Sequence, residues 1–159
     1  TAYEMINGDW SADVCSSDLP VKPAVNQIEV NPWYQQDQEV KFAQSEDIRV
    51  EAWAPFAEGK HDIFTNETIA EIAAKYGKSN GQVILRWLLQ RGITVIPKSV
   101  HKNRMEENID VFDFELSNDD MKKIASLNKK ESQFFDHRDP VTIEQIFGSS
   151  LKMVQDDEK

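Results

Sequence analysis

Cysteine is almost absent from this chain of 159 residues, in which Cys15 stands alone. A single cysteine forms no disulfide within the chain, and it does not supply the sets of cysteine and histidine that hold structural zinc. The sequence therefore contains no disulfide framework and no cysteine-based metal site. Cys15 is expected to be an ordinary free thiol.

Glycine and long apolar runs are also scarce. None of the six glycines belongs to a Gly-x-Gly-x-x-Gly loop, so a Rossmann nucleotide-binding fold has little support. No segment approaches the roughly 18 apolar residues of a membrane-spanning helix, and no basic-then-apolar signal peptide is visible. These absences lead us to expect a soluble cytoplasmic protein.

Positive charge is outweighed by negative charge. The chain has 18 Lys and Arg against 28 Asp and Glu, a net charge of -10 and a pI near 4.7. Nucleic acids and anionic membranes bind to basic faces, so neither is an expected partner. An acidic protein still binds a small anion wherever a few cations cluster. An apolar fraction of 40% and four tryptophans indicate a globular domain with a substantial core.

From residue 21 onward, apolar strands alternate with amphipathic helices, which is the pattern of βα units around a parallel sheet. The predicted strands cover residues 25–30, 48–54 and 93–97. The predicted helices cover residues 36–45 and 67–76, a segment opened by Ser79-x-x-Gln82, a short segment from about residue 103, and a segment opened by Ser117-x-x-Asp120. The first nineteen residues show neither the helical nor the strand periodicity of apolar residues.

The clearest chemical signal lies at residues 96–108, which read Ile-Pro-Lys-Ser-Val-His-Lys-Asn-Arg-Met-Glu-Glu-Asn. A strand that passes into a helix here offers free backbone N–H groups and a positive helix end to an anion. Lys98 adds a point charge, and Arg104 adds a planar fork that holds a phosphate with two hydrogen bonds. Taken singly, either cation is more typical of a solvated turn, because exposed basic residues are common.

Taken whole, this string resembles the cofactor-binding signature of the aldo-keto reductases. Two further segments resemble the same family: Ala24–Pro32 looks like its sixth barrel strand, and Ile48–Phe56 looks like its seventh. Val95–Ser99 looks like the eighth. The likeness is to bacterial NADPH-dependent enzymes of the 2,5-diketogluconate reductase type. It implies an α/β fold, a partial (β/α)8 TIM barrel with strands 6 to 8, their helices and the C-terminal loop. A complete barrel needs roughly 250 residues, so about half of one fits here.

The resemblance assigns three residues near the strand ends to NADP(H). Gln27 would hydrogen-bond the nicotinamide carboxamide, since its own amide offers a donor and an acceptor. Trp53 would stack on the nicotinamide ring, and Phe56 would line the loop near the pyrophosphate. Without the family context, Gln27 is equally a polar strand end and Trp53 a core aromatic residue.

The resemblance assigns the remaining cofactor residues to the adenosine end. Lys98, Ser99 and Arg104 would hold the 2′-phosphate of the ribose, while Glu107 and Asn108 would face the adenine edge. Two cations at this place favour NADPH over NADH, because NADH has no 2′-phosphate and would leave both cations without an anionic partner.

No catalytic residue is nominated. The resemblance implies a tyrosine acid assisted by a lysine, an aspartate and a histidine, all from strands that precede the sixth. The tyrosines and histidines of this chain lie outside that context: Tyr3, Tyr34, Tyr76, His61, His101 and His137. No Ser–His–Asp arrangement and no metal cluster is expected either.

The domain organisation follows from these matches. Residues 1–20 are interpreted as an atypical N-terminal segment, a junction or sequence artefact, and residues 21–159 as the C-terminal part of an aldo-keto reductase barrel. One hypothesis is that the chain is a portion of an NADPH-dependent oxidoreductase. The intact enzyme would reduce a small carbonyl substrate, an aldehyde or ketone, to an alcohol, and this chain alone would be inactive. The alternatives are a non-catalytic NADP-binding or interaction module, and a non-functional fragment that self-associates through exposed barrel edges.

Overall fold

The computed structural model describes residues 21–136 and 139–146. The chain divides into one unit from Pro23 to Gln133 and another that comprises Thr1–Lys22 and Phe134–Lys159. The atypical segment interpreted at residues 1–20, with Tyr3 and Cys15, therefore lies outside the described residues. Every feature of the candidate site belongs to the first unit.

The first unit contains a parallel sheet of three strands in the order β1-β2-β3. These are β1 (Val25–Glu29), β2 (Arg49–Trp53) and β3 (Thr94–Val95). All three lie within the segments predicted from the sequence. The third strand is shorter than the predicted 93–97, because Pro97 has no N–H to donate to a ladder. Parallel order places the carboxyl ends of the strands at one edge of the sheet.

Five helices of the first unit follow the predicted pattern. They are α1 (Asp37–Ser45), α2 (Glu67–Tyr76), α3 (Asn80–Gln90), α4 (Lys102–Ile109) and α5 (Asn118–Ala125), with a 3-10 turn at Ala57–Gly59. Among the described residues, no helix combines the length and apolar character that crossing a membrane requires. The alternation of strands with helices on a parallel sheet is consistent with part of a barrel.

The predicted helix ends are confirmed. The Ser79 side chain accepts from the backbone N–H of Gln82, whose own side chain accepts from the backbone N–H of Ser79 at 3.0 Å, which makes a capping box. Ser117 caps α5 by accepting from the N–H of Asp120 at 3.2 Å. Gly77 ends α2 with φ 64°, a left-handed conformation that favours glycine.

Only one face of the sheet is covered by the core. Val50 and Ala52 are fully buried, whereas their strand neighbours Arg49 and Glu51 are exposed and half-buried. Helix α1 packs next to β2 and α3 next to β3, while α2 packs on α3. The largest buried helix residues of this core are Ile69, Ile72, Ile84, Leu85, Trp87, Leu88 and Ile124. The other face carries Gln27, exposed, and Val25, which is 51% exposed.

The second unit contributes a short helical segment at residues 140–146. Asp139 precedes it and accepts hydrogen bonds from the backbone N–H groups of Val141 and Thr142 and from the Thr142 hydroxyl. Those bonds, led by the Thr142 hydroxyl, lower the pKa of Asp139. Pro140 suits the first helical position because its missing N–H would have no helical partner there.

Candidate functional site

A cavity of about 390 Å³ lies where α3 and α4 begin, next to the loop that follows β2. Its size falls within the roughly 300–1,000 Å³ of small-molecule sites. It gathers most of the residues that the sequence singled out, namely Phe56, Lys98, Ser99, Arg104, Glu107 and Asn108. Residues from two further elements complete its lining: Phe64, Ser79, Asn80 and Gly81.

The rim of the cavity is positively charged at the start of α4. Lys98 and Arg104 are both exposed, and neither forms an ion pair or a side-chain hydrogen bond with the described residues. The helix begins at Lys102 without a side-chain cap from His101. Its first backbone N–H groups, which have no acceptors within the helix, are therefore without a side-chain cap from His101. Two unpaired cations and a positive helix end meet at one place.

Ser99 shapes the turn that leads into α4. Its hydroxyl accepts from the backbone N–H of His101 at 3.2 Å and donates to the His101 carbonyl at 3.3 Å. The hydroxyl thereby holds the turn between Lys98 and the helix. This local bond explains how a serine fixes the position of the two cations on either side of it.

The opposite wall of the cavity is aromatic. The rings of Phe56 and Phe64 contact each other at a centroid distance of 5.3 Å and an angle of 53°. A Cβ added to Gly81 would lie 3.7 Å from the Phe56 ring and 3.8 Å from the Phe64 ring. Gly81 thus leaves the two rings uncovered. No pattern in the sequence singled out Phe64 or Gly81 for the site, although a glycine in the first turn of an otherwise regular helix is a usable signal.

The loop that carries Phe56 has an unusual backbone. Ala54, Ala57 and Glu58 have φ angles of 49°, 45° and 53°, in the left-handed region that residues with a Cβ adopt at a cost of roughly 1–2 kcal/mol each. Backbone hydrogen bonds from Ala57 to Ala54 and from Gly59 to Phe56 hold the loop at 2.9 and 2.8 Å. Strain of this kind concentrates at functional sites.

The acidic end of α4 forms another part of the wall. The Ser79 hydroxyl donates to Glu107 at 3.4 Å, which links the start of α3 to α4. Asn108 is half-buried, and its amide makes no side-chain hydrogen bond with the described residues. An unpaired amide beside a carboxylate offers donors and acceptors to a heterocyclic edge.

Gln27 and Trp53 lie on the sheet and not in the lining of the cavity. Gln27 Nε2 donates to Glu51 Oε1 at 2.5 Å, across the register that pairs the two residues. Trp53 is half-buried at the end of β2, opposite Glu29. Both are on the face that the helical core leaves uncovered. The structure therefore separates the predicted site into a cavity and a sheet surface.

The likeness to known proteins decides the family. The family model described as "Aldo/keto reductase family" matches residues 7–129, most of the chain, and its match begins inside the first twenty residues. This chain belongs to the aldo-keto reductase family. It is 46% identical over 114 residues to the glyoxal reductase of Bacillus subtilis (strain 168), covering 72% of this chain and 41% of that protein. It is 42% identical over 109 residues to the methylglyoxal reductase DkgA of Escherichia coli (strain K12), covering 69% and 40%.

Solved structures share the fold. A mutant of Gox0644 in complex with NADPH superimposes with a TM-score of 0.74 at 37% identity, covering 86% of this chain and 49% of that one. The Bombyx mori aldo-keto reductase AKR2E4 in complex with NADP gives 0.72 at 36% identity, covering 79% and 45%. The chain spans 34% to 41% of the length of the curated relatives it matches.

In this aldo-keto reductase chain, Tyr76 belongs to a hydrogen-bond network that joins α2 to α5. Its hydroxyl donates to Asp120 Oδ2 at 2.6 Å and accepts from the backbone N–H of Ser117 at 3.1 Å. Lys75 Nζ lies 2.6 Å from the same carboxylate oxygen. Burial opposes the charge of Asp120, but the bonds from Lys75, Ser117 and Tyr76 outweigh it and hold the pKa of Asp120 far below its usual range. Tyr76 is therefore occupied away from the cavity.

A buried carboxylate closes the end of β1. Glu29 is 2% exposed and accepts from Asn31 Nδ2, the Ser132 hydroxyl and the backbone N–H of Gln133 at 3.1, 2.6 and 3.1 Å. It holds the segment after Lys130 against the carboxyl end of the sheet. Within residues 21–136 and 139–146, no cluster of three or more His, Cys, Asp or Glu is suited to a metal ion.

Proposed function

We propose that residues 21–159 bind NADP(H) as the C-terminal part of an aldo-keto reductase barrel, with the three strands in the sixth to eighth positions. The observation that carries the proposal is the meeting of Lys98 and Arg104, both unpaired among the described residues, at one cavity with an aromatic wall. A cavity of about 390 Å³ with free cations and flat apolar surface fits the adenosine end of a phosphorylated dinucleotide.

The 2′-phosphate of the cofactor is held by the rim of the cavity. The Arg104 guanidinium offers two parallel N–H groups to phosphate oxygens, and Lys98 adds a compact charge. Ser99 holds the turn between them through its bonds to His101, and it lines the same cavity. NADH lacks this phosphate, so it leaves both cations without an anion. The site is therefore selective for NADPH.

The adenine lies farther along α4, where Glu107 and Asn108 meet its polar edge. Phe56 lines the adjoining pyrophosphate loop, whose backbone is bent by left-handed residues. The nicotinamide reaches the sheet, where Trp53 stacks on the ring and Gln27 binds the carboxamide. When bound, NADPH supplies the hydride that reduces a carbonyl. The residues of this chain bind and orient it.

The carbonyl substrate belongs to the intact enzyme. The relatives named above are reductases of glyoxal and methylglyoxal, which supports a small aldehyde or ketone as the substrate class. Tyr34, Tyr76, His61 and His101 are given no catalytic role. We therefore propose that this chain alone binds the cofactor without turning over a carbonyl substrate.

A binding titration tests the proposal. Tryptophan fluorescence or calorimetry of the full chain, titrated with NADPH, NADH and 2′,5′-ADP, separates the phosphate contribution from the rest. NADPH and 2′,5′-ADP are expected to bind with similar salt sensitivity, and NADH much more weakly. Absence of any response to 2′,5′-ADP would refute the site. Adding glyoxal and following NADPH absorbance is expected to show no turnover.

A second proposal concerns self-association. Neither β1 nor β3 pairs along its outer edge with another strand in the described part of the chain. An unpaired parallel edge and an uncovered sheet face tend to associate with a like surface. We expect a concentration-dependent dimer or larger species by analytical ultracentrifugation. A monomer at all concentrations would contradict this expectation.

A further inference from the structure

We infer that Glu51 positions Gln27 for the nicotinamide by fixing which end of the Gln27 amide faces the cofactor. This inference rests on the proposed function, because it concerns the nicotinamide end of the same bound dinucleotide. It assigns a role to a carboxylate that touches neither the cavity nor the phosphate rim. Glu51 is a positioning residue that acts through Gln27.

The two side chains are brought together by the sheet itself. Gln27 in β1 and Glu51 in β2 are paired in register, so their side chains leave the same face at the same level. The distance from Gln27 Nε2 to Glu51 Oε1 is 2.5 Å. Arg49 lies on the same strand and the same face, yet it makes no ion pair with Glu51. The carboxylate is engaged by the amide and not by the nearby guanidinium.

The chemistry of the pair sets the direction of the amide. An ionised carboxylate only accepts hydrogen bonds, so the NH2 end of Gln27 must face Glu51. Oε1 of Gln27 then points away from Glu51, and it accepts no side-chain hydrogen bond from the described residues. An outward acceptor matches the NH2 group of the nicotinamide carboxamide. Without Glu51, the Gln27 amide presents either its oxygen or its NH2 group to the cofactor. The preference for the NH2 group of the nicotinamide carboxamide is then lost.

The proposal predicts a particular pattern among ligands. Glu51→Leu removes the acceptor, and NADPH binding is expected to weaken about fivefold, because the cofactor must then order the freed Gln27 side chain itself. Binding of 2′,5′-ADP, which has no nicotinamide, is expected to be unchanged. Glu51→Gln presents an amide oxygen to Gln27 and is expected to recover part of the loss. Arg49→Leu, on the same strand and face, is the matched control and is expected to bind both ligands normally.

A cofactor analogue sharpens the test. The 3-acetylpyridine analogue of NADPH replaces the carboxamide NH2 with a methyl group, so wild-type protein is expected to bind it about fivefold more weakly than NADPH. Glu51→Leu is expected to bind the two nearly equally. Calorimetry with all variants and all three ligands measures both effects.

The outcomes separate this inference from the proposed function. Unchanged NADPH affinity in Glu51→Leu would overturn the inference while the phosphate site stands. An equal loss of NADPH and 2′,5′-ADP would also overturn it, because that pattern belongs to general damage to the fold. No preference of wild-type protein for NADPH over its acetylpyridine analogue would do the same. Only failure of wild-type protein to bind 2′,5′-ADP would refute the proposed function.

Discussion

The side chain of Gln82, in the first turn of α3, donates from Nε2 to the backbone oxygen of Asp110, just past the end of α4, at 2.7 Å. The same amide accepts from the N–H of Ser79 at 3.0 Å. One nearly buried glutamine thus closes the capping box of α3 and ties that helix to α4. Because the two helices form adjoining parts of the cavity wall, their attachment sets the shape of the cavity.

Removing this attachment should destabilise the chain. Gln82→Ala leaves the N–H of Ser79 without its partner and removes the closer of two donors to the Asp110 carbonyl, the other being Lys78 Nζ at 3.4 Å. We expect the free energy of unfolding to fall by about 2 kcal/mol. Urea denaturation followed by circular dichroism measures it. Gln38→Ala is the control, since Gln38 is an exposed helical glutamine with no side-chain hydrogen bond among the described residues. Equal midpoints for the two variants would contradict the assigned role.

Acid should remove the contribution of Asp120. Its pKa is held far below the unfolded value of about 3.9, so its ionised form is favoured by the fold. The stability it provides is present above about pH 4 and is lost as the pH falls toward its folded pKa. Below pH 4 we expect wild-type protein to lose up to about 1.4 kcal/mol per pH unit more than Asp120→Asn does.

The control for this pH dependence lies one residue away. Asp119 occupies the same first turn of α5 but is exposed. Asp119→Asn should therefore leave the slope of unfolding free energy against pH nearly as it is in wild-type protein. Parallel pH profiles for wild-type protein and Asp120→Asn would show that the network around Asp120 carries no such linkage.

Local signals in the sequence predicted most of the secondary structure. The capping box at Ser79 and the glycine stop at Gly77 depend on neighbours three or four residues away, and both are confirmed. In β2, Arg49, Glu51 and Trp53 alternate with the buried Val50 and Ala52, which is the period of two that a strand imposes. That period does not tell which partner satisfies the polar side chains. The partner of Glu51 is an amide, Gln27 on the next strand.

Contacts between distant segments were beyond the reach of such signals. Phe64 meets Phe56 only because the loop after β2 turns through left-handed residues, and no hydrophobic period encodes that turn. The sequence pattern predicted only that Glu29 belongs to a strand. The residues that bind its carboxylate, Ser132 and Gln133, lie more than a hundred residues farther along the chain. The cofactor assignments at Lys98 and Arg104 came from a family motif, whereas the cavity that unites them required the fold.

Arg104 should govern the choice between the two dinucleotides. Arg104→Ala removes the bidentate fork, and we expect NADPH to bind about 10- to 100-fold more weakly while NADH changes little. Arg104→Lys keeps the positive charge, so its NADPH affinity should fall between those of wild-type protein and Arg104→Ala. Lys102→Ala is the control, because Lys102 is exposed, lies outside the cavity lining and has only a 3.7 Å ion pair with Glu106. Calorimetric titrations measure the ratios, and equal losses for both dinucleotides would mean that Arg104 does not contact the 2′-phosphate.

Two glycines should respond in opposite directions to alanine. At Gly81 a Cβ makes ordinary contact with the Phe56 ring, and the added methyl restricts the unfolded chain, so Gly81→Ala should stabilise by about 0.5 kcal/mol. Gly77 has φ 64°, and Gly77→Ala should destabilise by about 1 kcal/mol.

A larger side chain at Gly81 should separate folding from binding. Leucine there extends from the first turn of α3 toward the Phe56 and Phe64 rings and occupies space in the cavity. We therefore expect Gly81→Leu to remain folded in urea titrations and to lose 2′,5′-ADP binding, while Gly81→Ala retains it. If Gly81→Leu bound 2′,5′-ADP with wild-type affinity, the ligand would have to lie away from the aromatic wall. Lys98 and Arg104 would then bind the phosphate without a contribution from the adjoining cavity.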